Sequence, residues 1–143
     1  MRRRWRAKDP FSSYSHMIGV LLSILGLVIL MIHANGNRRL AAGYADGRVK
    51  LWSFPAGQHE ATYRHRNGWV LGVCFSEDGR GLASAGEEPT VTLWDVVARR
   101  ELAAFPGHGA AYSAAFLSDG RRLATGGGEA VKLWDLATHR ELL

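Results

Sequence analysis

A hydroxyl, an imidazole and a carboxylate occur near one another in this sequence, and such a trio can perform nucleophilic catalysis. His65, Ser84 and Glu88 are the residue types of a serine hydrolase triad. The same three groups can instead hydrogen-bond to one another inside a folded unit. A hydrolase of this kind usually exposes its serine on a Gly-x-Ser-x-Gly turn, which the sequence lacks. We therefore expect these residues to be structural, and we expect no enzyme activity.

Motifs for other chemistry are missing as well. The sequence contains no Gly-x4-Gly-Lys-Ser/Thr loop, no His-Glu-x2-His pair and no dinucleotide fingerprint. The glycine run at 126–128 is expected to form a turn between two strands. Cys74 is the only cysteine, which excludes an intrachain disulfide and a cysteine-rich zinc site, and its apolar neighbours predict burial. We expect neither a cofactor nor a metal.

The elements that must position these residues repeat along the chain. LAAGYADGRVKLW (40–52), LASAGEEPTVTLW (82–94) and LATGGGEAVKLW (123–134) are three copies of one pattern. Their tryptophans are 42 and 40 residues apart. Such a period indicates a repeat architecture built from one supersecondary unit.

Within each repeat, short apolar runs alternate with turn residues. Asp78-Gly79 and Asp119-Gly120 predict hairpin turns. The patterns predict strands near 70–75, 81–85, 90–94 and 101–105 in the second repeat, and near 111–116, 122–126 and 131–134 in the third. The fold class is therefore mainly β, with antiparallel strands.

The period, the Trp-Asp pairs at 94–95 and 134–135, and Gly107-His108 resemble the WD40 (Trp-Asp) repeats of β-propellers. The resemblance covers residues 37–143 and implies a partial propeller of two and a half to three blades. Blade one would span 37–64 without a clear first strand, blade two 65–106, and an incomplete blade three 107–143. Because propellers close with four to eight blades, three blades leave open flanks.

The resemblance also implies a structural tetrad in each blade, formed by a His, a Ser or Thr, an Asp and a Trp. The matching positions are His65, Ser84, Glu88 and Trp94 in blade two; His108, Thr125 and Trp134, with Glu129 in the turn, in blade three; and Asp46 and Trp52, with Ala42 in place of the hydroxyl, in blade one. His65 and His108 each stand one residue off the usual spacing.

The segment before the repeats is apolar and follows a basic cluster. Residues 17–32 carry no charge, and we interpret residues 11–34 as a transmembrane helix or signal anchor. The cations that precede it, within the basic segment 1–10, are Arg2, Arg3, Arg4, Arg6 and Lys8. By the positive-inside rule they predict a single-pass membrane protein with a cytoplasmic N-terminus and the repeats on the opposite side.

Other interpretations of this segment stay open. It could be a cleaved signal peptide, which would make the repeats secreted, or a buried core helix. Residues 9–32 also resemble the first transmembrane helix of haemolysin-III-like membrane proteins. Alignment of the repeats, finally, places the first strand of blade one inside 28–32, so that part of the segment could fold as that strand.

The net charge of +5 lies mostly in the N-terminal segment, because residues 37–143 hold 13 basic and 12 acidic side chains. We therefore expect no nucleic-acid binding. The resemblance implies a protein-protein interaction scaffold with an unknown protein partner, and open flanks permit self-association or a complementing propeller fragment. Candidate contact loops are Glu87, Glu88 and Pro89, and residues 106–110. The alternatives are a non-functional fragment of a larger WD-repeat protein, and a haemolysin-III-like fragment fused to WD repeats.

Overall fold

The computed structural model describes residues 28–34, 37–65, 68–106, 109–128 and 130–143, with side chains from residue 39 onward. These residues form eleven strands in three antiparallel sheets. The strands are β1 (Val28–Ala34), β2 (Asn37–Gly43), β3 (Arg48–Phe54), β4 (His59–Arg64), β5 (Val70–Phe75), β6 (Gly81–Gly86), β7 (Thr90–Asp95), β8 (Arg100–Pro106), β9 (Ala111–Phe116), β10 (Arg122–Gly127) and β11 (Val131–Asp135).

Each sheet is an up-and-down meander of neighbouring strands. Blade one contains β1 to β4, blade two β5 to β8, and blade three β9 to β11. The expected first strands of blades two and three agree with β5 and β9 at both ends, and the other expected strands of these two blades lengthen by one or two residues. The mainly β, antiparallel fold expected from the repeats is therefore confirmed.

The hairpin between the first two strands of blades two and three depends on an Asp-Gly pair. Gly79 and Gly120 have φ of 69° and 65°, a left-handed conformation that glycine adopts without steric cost. Asp78 Oδ1 accepts a hydrogen bond from the Arg80 amide at 3.0 Å, and Asp119 Oδ1 accepts one from Arg121 at 2.9 Å. These local contacts explain why the turns could be located from sequence.

Blade one differs from the expectation, because the end of the apolar segment is a strand. β1 pairs antiparallel with β2 along its whole length, from Val28 opposite Gly43 to Ala34 opposite Asn37. Blade one is therefore a complete four-stranded sheet that starts at Val28, before the boundary at residue 37.

The helix interpretation of residues 11–34 is wrong for residues 28–34, and residues 11–27 lie outside the described part of the chain. In the part that is described, we find no helix of the length and apolarity that crossing a membrane requires.

Blade three continues past its third strand. Trp134 forms an isolated bridge with Glu141, and the Leu142 amide donates to the Leu133 carbonyl at 2.7 Å. In blade two the corresponding pair is Trp94 and Glu101. The last residues therefore begin a fourth strand in the same register as β8.

Two apolar layers hold the three sheets together. The layer between blades one and two contains Ala41, Val49, Leu51, Ala61, Tyr63, Val70, Val73, Phe75, Leu82, Trp94 and Val96. The layer between blades two and three contains Ala83, Ala85, Val91, Leu93, Phe105, Ala111, Leu123 and Trp134. Since alternate residues of a strand point to opposite faces, blade two contributes one face to each layer.

Candidate functional site

The polar group predicted for blade two is assembled in the structure. Ser84, at the centre of β6, is fully buried. Its Oγ accepts a hydrogen bond from Trp94 Nε1 at 2.7 Å and lies 2.6 Å from His65 Nε2. His65 reaches this position from the segment between β4 and β5 despite its unusual spacing. The group therefore ties strands β6 and β7 to the connection that enters the blade.

Glu88 forms the outer end of this group. Its Oε2 lies 3.8 Å from His65 Nδ1, and among the described residues Nδ1 forms no hydrogen bond. Burial lowers the pKa of His65, while the nearby Glu88 carboxylate opposes the shift. His65 is thus held neutral at neutral pH, and its contact with Glu88 is not a full ion pair there.

The geometry around Ser84 supports a structural role. A nucleophile needs an oxygen that a substrate can reach, whereas the Ser84 side chain is enclosed and its oxygen already contacts His65 and Trp94. Cys74, the other nucleophile of interest, is partly buried against the second apolar layer. Burial raises the pKa of its thiol to about 12, so the thiolate is scarce at neutral pH.

Blade three repeats the inner part of this arrangement. Trp134 Nε1 donates to Thr125 Oγ1 at 2.9 Å, and Thr125 is buried. His108 and Glu129, which were expected to complete the group, lie outside the described residues.

Blade one does not assemble a tetrad among its described residues. Ala42 fills the hydroxyl position and is buried. Asp46 forms an ion pair with Arg48 in its own turn. The Trp52 ring packs edge-on against His59, with centroids 6.2 Å apart. Asp46 and Trp52 therefore contact Arg48 and His59 within blade one and do not contact each other through a shared hydroxyl.

The loops expected to contact partners are partly occupied by internal contacts. Glu87 Oε2 accepts a hydrogen bond from the Trp69 amide at 3.2 Å, and the Glu88 side chain is largely covered. Pro89 is exposed, as are Pro106 and Gly109, while residues 107 and 108 lie outside the described part. Among the described residues of these loops, the side chains of Glu87 and Glu88 therefore already have contacts within blade two.

A recess lies at the opposite end of the strands. It is an open groove of about 600 Å³ between the β5–β6 turn of blade two and the β9–β10 turn of blade three. Its carboxylates belong to Glu77, Asp78, Asp95 and Asp119. Its apolar lining comes from Leu93, Leu102, Phe116 and Leu136. We call it the acidic groove.

Two carboxylates of the acidic groove have a lowered pKa because of local hydrogen bonds. Hydrogen bonds from the Ser76 hydroxyl and the Arg80 amide lower the pKa of Asp78. The Arg121 amide and the Arg122 side chain lower that of Asp119. Arg80 also belongs to the lining, and Arg122 forms an ion pair with Asp119. Among the described residues, the carboxylates of the groove still outnumber these two cations, so the rim is negative beside an apolar surface.

The acidic groove was not predicted from the sequence. The signal was available, because each Asp-Gly turn places a carboxylate at the same end of its blade. Residues 78 and 119 are 41 positions apart, however, and only the stacking of two sheets shows that their turns face one recess.

Comparison with known proteins agrees with this geometry. The family described as "WD domain, G-beta repeat" (WD40) matches residues 23–53, 57–95 and 99–135. The second segment contains β4 to β7 and the third β8 to β11, so each of these repeats joins the last strand of one blade to the first three strands of the next. Together the three segments cover about three quarters of the chain. The first match begins inside the apolar segment, in agreement with β1 as part of blade one.

Curated relatives share parts of this region. The chain is 32% identical over 69 residues (48% of it) to DDB1- and CUL4-associated factor 13 of Dictyostelium discoideum. It is 38% identical over 63 residues (44%) to nuclear distribution protein PAC1-2 of Uncinocarpus reesii. It is 28% identical over 103 residues (72%) to small ribosomal subunit protein RACK1 of Caenorhabditis elegans. The chain spans 16%, 14% and 31% of these three relatives.

The resemblance of residues 9–32 to haemolysin-III-like proteins finds no support. The end of that stretch lies in β1 and in the first matched segment. The repeat period, the three meander sheets and the family match over most of the chain lead to one conclusion: this chain belongs to the WD40 repeat family.

Proposed function

We propose that this chain is a protein-interaction module that binds its partner in the acidic groove. The observation that carries the proposal is the combination of four carboxylates with an apolar surface of four side chains in one recess. Two relatives are named for association with other macromolecules, DDB1 and CUL4 in one case and the small ribosomal subunit in the other. Their names support a binding role and leave the partner of this chain open.

The chemistry of the groove selects a class of ligand. Ionised carboxylates attract lysine and arginine side chains, and Leu102 and Phe116 offer contact to an apolar neighbour. The fitting ligand is a peptide segment that places a basic residue beside a large apolar one. Recognition of a nucleic acid is disfavoured, because the rim repels phosphates.

Binding of a peptide library can test this function. We expect basic-apolar peptides to bind and acidic peptides not to bind, with affinity falling at high salt because the charged rim is exposed. Glu77→Lys should weaken binding, since Glu77 is exposed in the groove. Glu101→Lys is the matched control, because Glu101 is exposed and does not line the groove. Equal loss in both variants would contradict the proposal.

We further propose that the module has no hydrolase activity. The enclosure of Ser84 by His65 and Trp94 supports this view. A fluorophosphonate probe, which labels activated serines, should leave the folded chain unmodified. Labelling at Ser84 that ceases on unfolding would overturn the assignment.

The sequence offers an alternative, a non-functional fragment of a larger WD-repeat protein. Such a fragment would bind no peptide class in the assay above and would lack a cooperative unfolding transition. Selective binding that Glu77→Lys removes would favour the interaction module.

Membrane attachment with a cytoplasmic N-terminus remains a proposal from the sequence. It competes with β1, because assigning Val28–Ala34 to a strand leaves seventeen residues of the proposed span, 11–27. A helix needs about 20 residues to span a bilayer, so the remaining stretch is at the short end of what can cross. Retention of the chain in a carbonate-washed membrane pellet would support the anchor. Recovery in the supernatant with the N-terminal arginines intact would contradict it.

A further inference from the structure

The outer flank of blade three carries an apolar set that is buried in the other two blades. We define this flank by Ala124, Val131 and Leu133. In each blade the alanine lies opposite the leucine, as Ala41 with Leu51, Ala83 with Leu93, and Ala124 with Leu133. The valine stands two residues before the leucine each time, at Val49, Val91 and Val131. The three flanks are therefore copies of one surface in one register.

Among the described residues, only the third copy has no sheet packed on it. Ala41, Val49 and Leu51 are 0% exposed, and Ala83, Val91 and Leu93 are at most 6% exposed. In the third copy Val131 is 69% exposed, and Ala124 and Leu133 are partly buried. The difference arises because a neighbouring sheet packs on the first two flanks, and no described sheet packs on the third.

The surface that covers each flank is repeated too. Leu82 and Trp94 of blade two pack against the flank of blade one. Leu123 and Trp134 of blade three pack against the flank of blade two. The same pair occurs in blade one as Leu40 and Trp52, cross-strand partners in the register of the other two pairs.

Leu40 and Trp52 are only partly buried. Blade one thus presents the covering surface with nothing described beneath it, and blade three presents the matching flank with nothing described above it. One chain therefore presents both surfaces of the interface that joins its neighbouring blades: the covering face on blade one and the flank on blade three.

We propose that the flank of blade three binds the Leu40–Trp52 face of blade one in a second copy of this chain. The contact continues the blade-to-blade interface and uses the same residue types in the same register. Two copies joined head to tail bring six blades together, within the range of four to eight at which propellers close. Both contacts then form at once, and the assembly is a closed two-fold ring.

The mass of the full chain in solution tests the assembly. We expect a dimer of the 15.7 kDa chain by light scattering after size exclusion. Val131→Arg should raise the dimer dissociation constant at least about 100-fold, since an unpaired buried cation is very unfavourable. Val97→Arg is the matched control, because Val97 is 67% exposed and lies in the β7–β8 turn, outside the flank.

Mixing two variants distinguishes a head-to-tail ring from other dimers. Leu40→Arg damages the covering face and Val131→Arg damages the flank, so each variant alone should be monomeric. A one-to-one mixture should recover a heterodimer, because one intact contact can form between the two. Recovery also shows that both variants fold.

Three outcomes would overturn the proposal. One is a wild-type chain that is monomeric at all concentrations, as when another segment of the same chain covers the flank. Another is dimerisation that survives Leu40→Arg, which indicates a flank-to-flank contact. The last is growth into open chains, which would show that the contact does not close a ring.

Discussion

The buried hydroxyl of Ser84 organises the most complete polar group of the protein. It accepts a hydrogen bond from the indole N–H of Trp94 and contacts the imidazole of His65, and all three side chains are buried. In such a site, removing one partner leaves another donor or acceptor unsatisfied. The loss of any one of these partners therefore lowers the free energy of unfolding, because a buried polar atom is left without a hydrogen bond.

Ser84→Ala should destabilise the fold. We expect a loss of about 1–3 kcal/mol in the free energy of unfolding, because the Trp94 indole and His65 lose their buried partner. Urea denaturation followed by tryptophan fluorescence measures the change. Ser118→Ala removes the same hydroxyl from an exposed position and should change stability very little. Equal effects in the two variants would show that the polar group is not stabilising.

His65 should make stability depend on pH. Burial lowers its folded-state pKa below 6.5, so the unfolded chain binds protons more readily. The free energy of unfolding should therefore fall as the pH drops through about 6.5, and the fall should end once the folded state also protonates. Four aspartates with lowered pKa, Asp46, Asp78, Asp119 and Asp135, act in a separate window below 3.8.

Denaturation at a series of pH values checks this dependence. His65→Gln should reduce the slope between pH 7.5 and 5.5, whereas His139→Gln, at an exposed position, should retain it. A slope unchanged by His65→Gln would assign the effect to another group.

At the scale of elements, the contact between blades one and two depends on Gly43 at the end of β2. A β-carbon at this position would lie 2.4 Å from Val70 Cγ1, closer than side chains can approach. Blade two therefore packs directly against the backbone of blade one. The absence of a side chain at position 43 is a packing requirement, independent of backbone freedom.

Gly43→Ala should weaken the packing between blades one and two and so lower the free energy of unfolding. We expect a loss of about 1–3 kcal/mol, typical of overpacking in a dense interior, measured by thermal or urea unfolding. Gly109→Ala is the control, because its β-carbon would meet nothing within 4 Å. If the Gly43→Ala variant were as stable as the wild type, the two blades could shift to accommodate the methyl group without a loss of packing.

β1, at the end of the apolar segment, should stabilise blade one because it pairs with β2 along its whole length. A chain that starts at residue 28 keeps all seven register pairs between β1 and β2, and a chain that starts at residue 37 loses them. We expect the shorter chain to unfold at a lower denaturant concentration, since β2 then becomes an open edge. Equal midpoints would show that β1 adds nothing to blade one.

At the scale of the whole molecule, assembly should be visible as a concentration-dependent melting temperature. If the native state is a dimer, dilution favours the unfolded monomer. The melting temperature should therefore fall on dilution for the wild type and stay constant for Val131→Arg. Differential scanning calorimetry over a hundred-fold concentration range measures this. A constant wild-type value would argue against assembly.

Much of the fold could be predicted, because its signals are local. Alternating apolar residues before Asp-Gly turns locate β5 and β9 at both ends, and the hairpin glycines have the expected positive φ. Ser84, Trp94, Thr125 and Trp134 likewise meet as their repeat positions indicate. The position of His65 was less certain from its spacing, and the connection before β5 brings it to Ser84.

The acidic groove and the uncovered flank could not be predicted in this way. Both depend on which turns and faces meet when sheets stack, and residues some forty positions apart decide that. Glu88 was expected both in the tetrad of blade two and in a contact loop, and the structure places it beside His65, where it lies partly covered.

The sequence alone determined the repeat, its strands and its hydrogen-bonding residues, because period, alternation and turn chemistry act within a few residues. Only the tertiary structure decided between helix and strand for Val28–Ala34. A short apolar run is compatible with either conformation, and here pairing with β2 assigns it to the sheet. The tertiary structure likewise decided which apolar flank stays uncovered, since burial depends on which sheet has a neighbour.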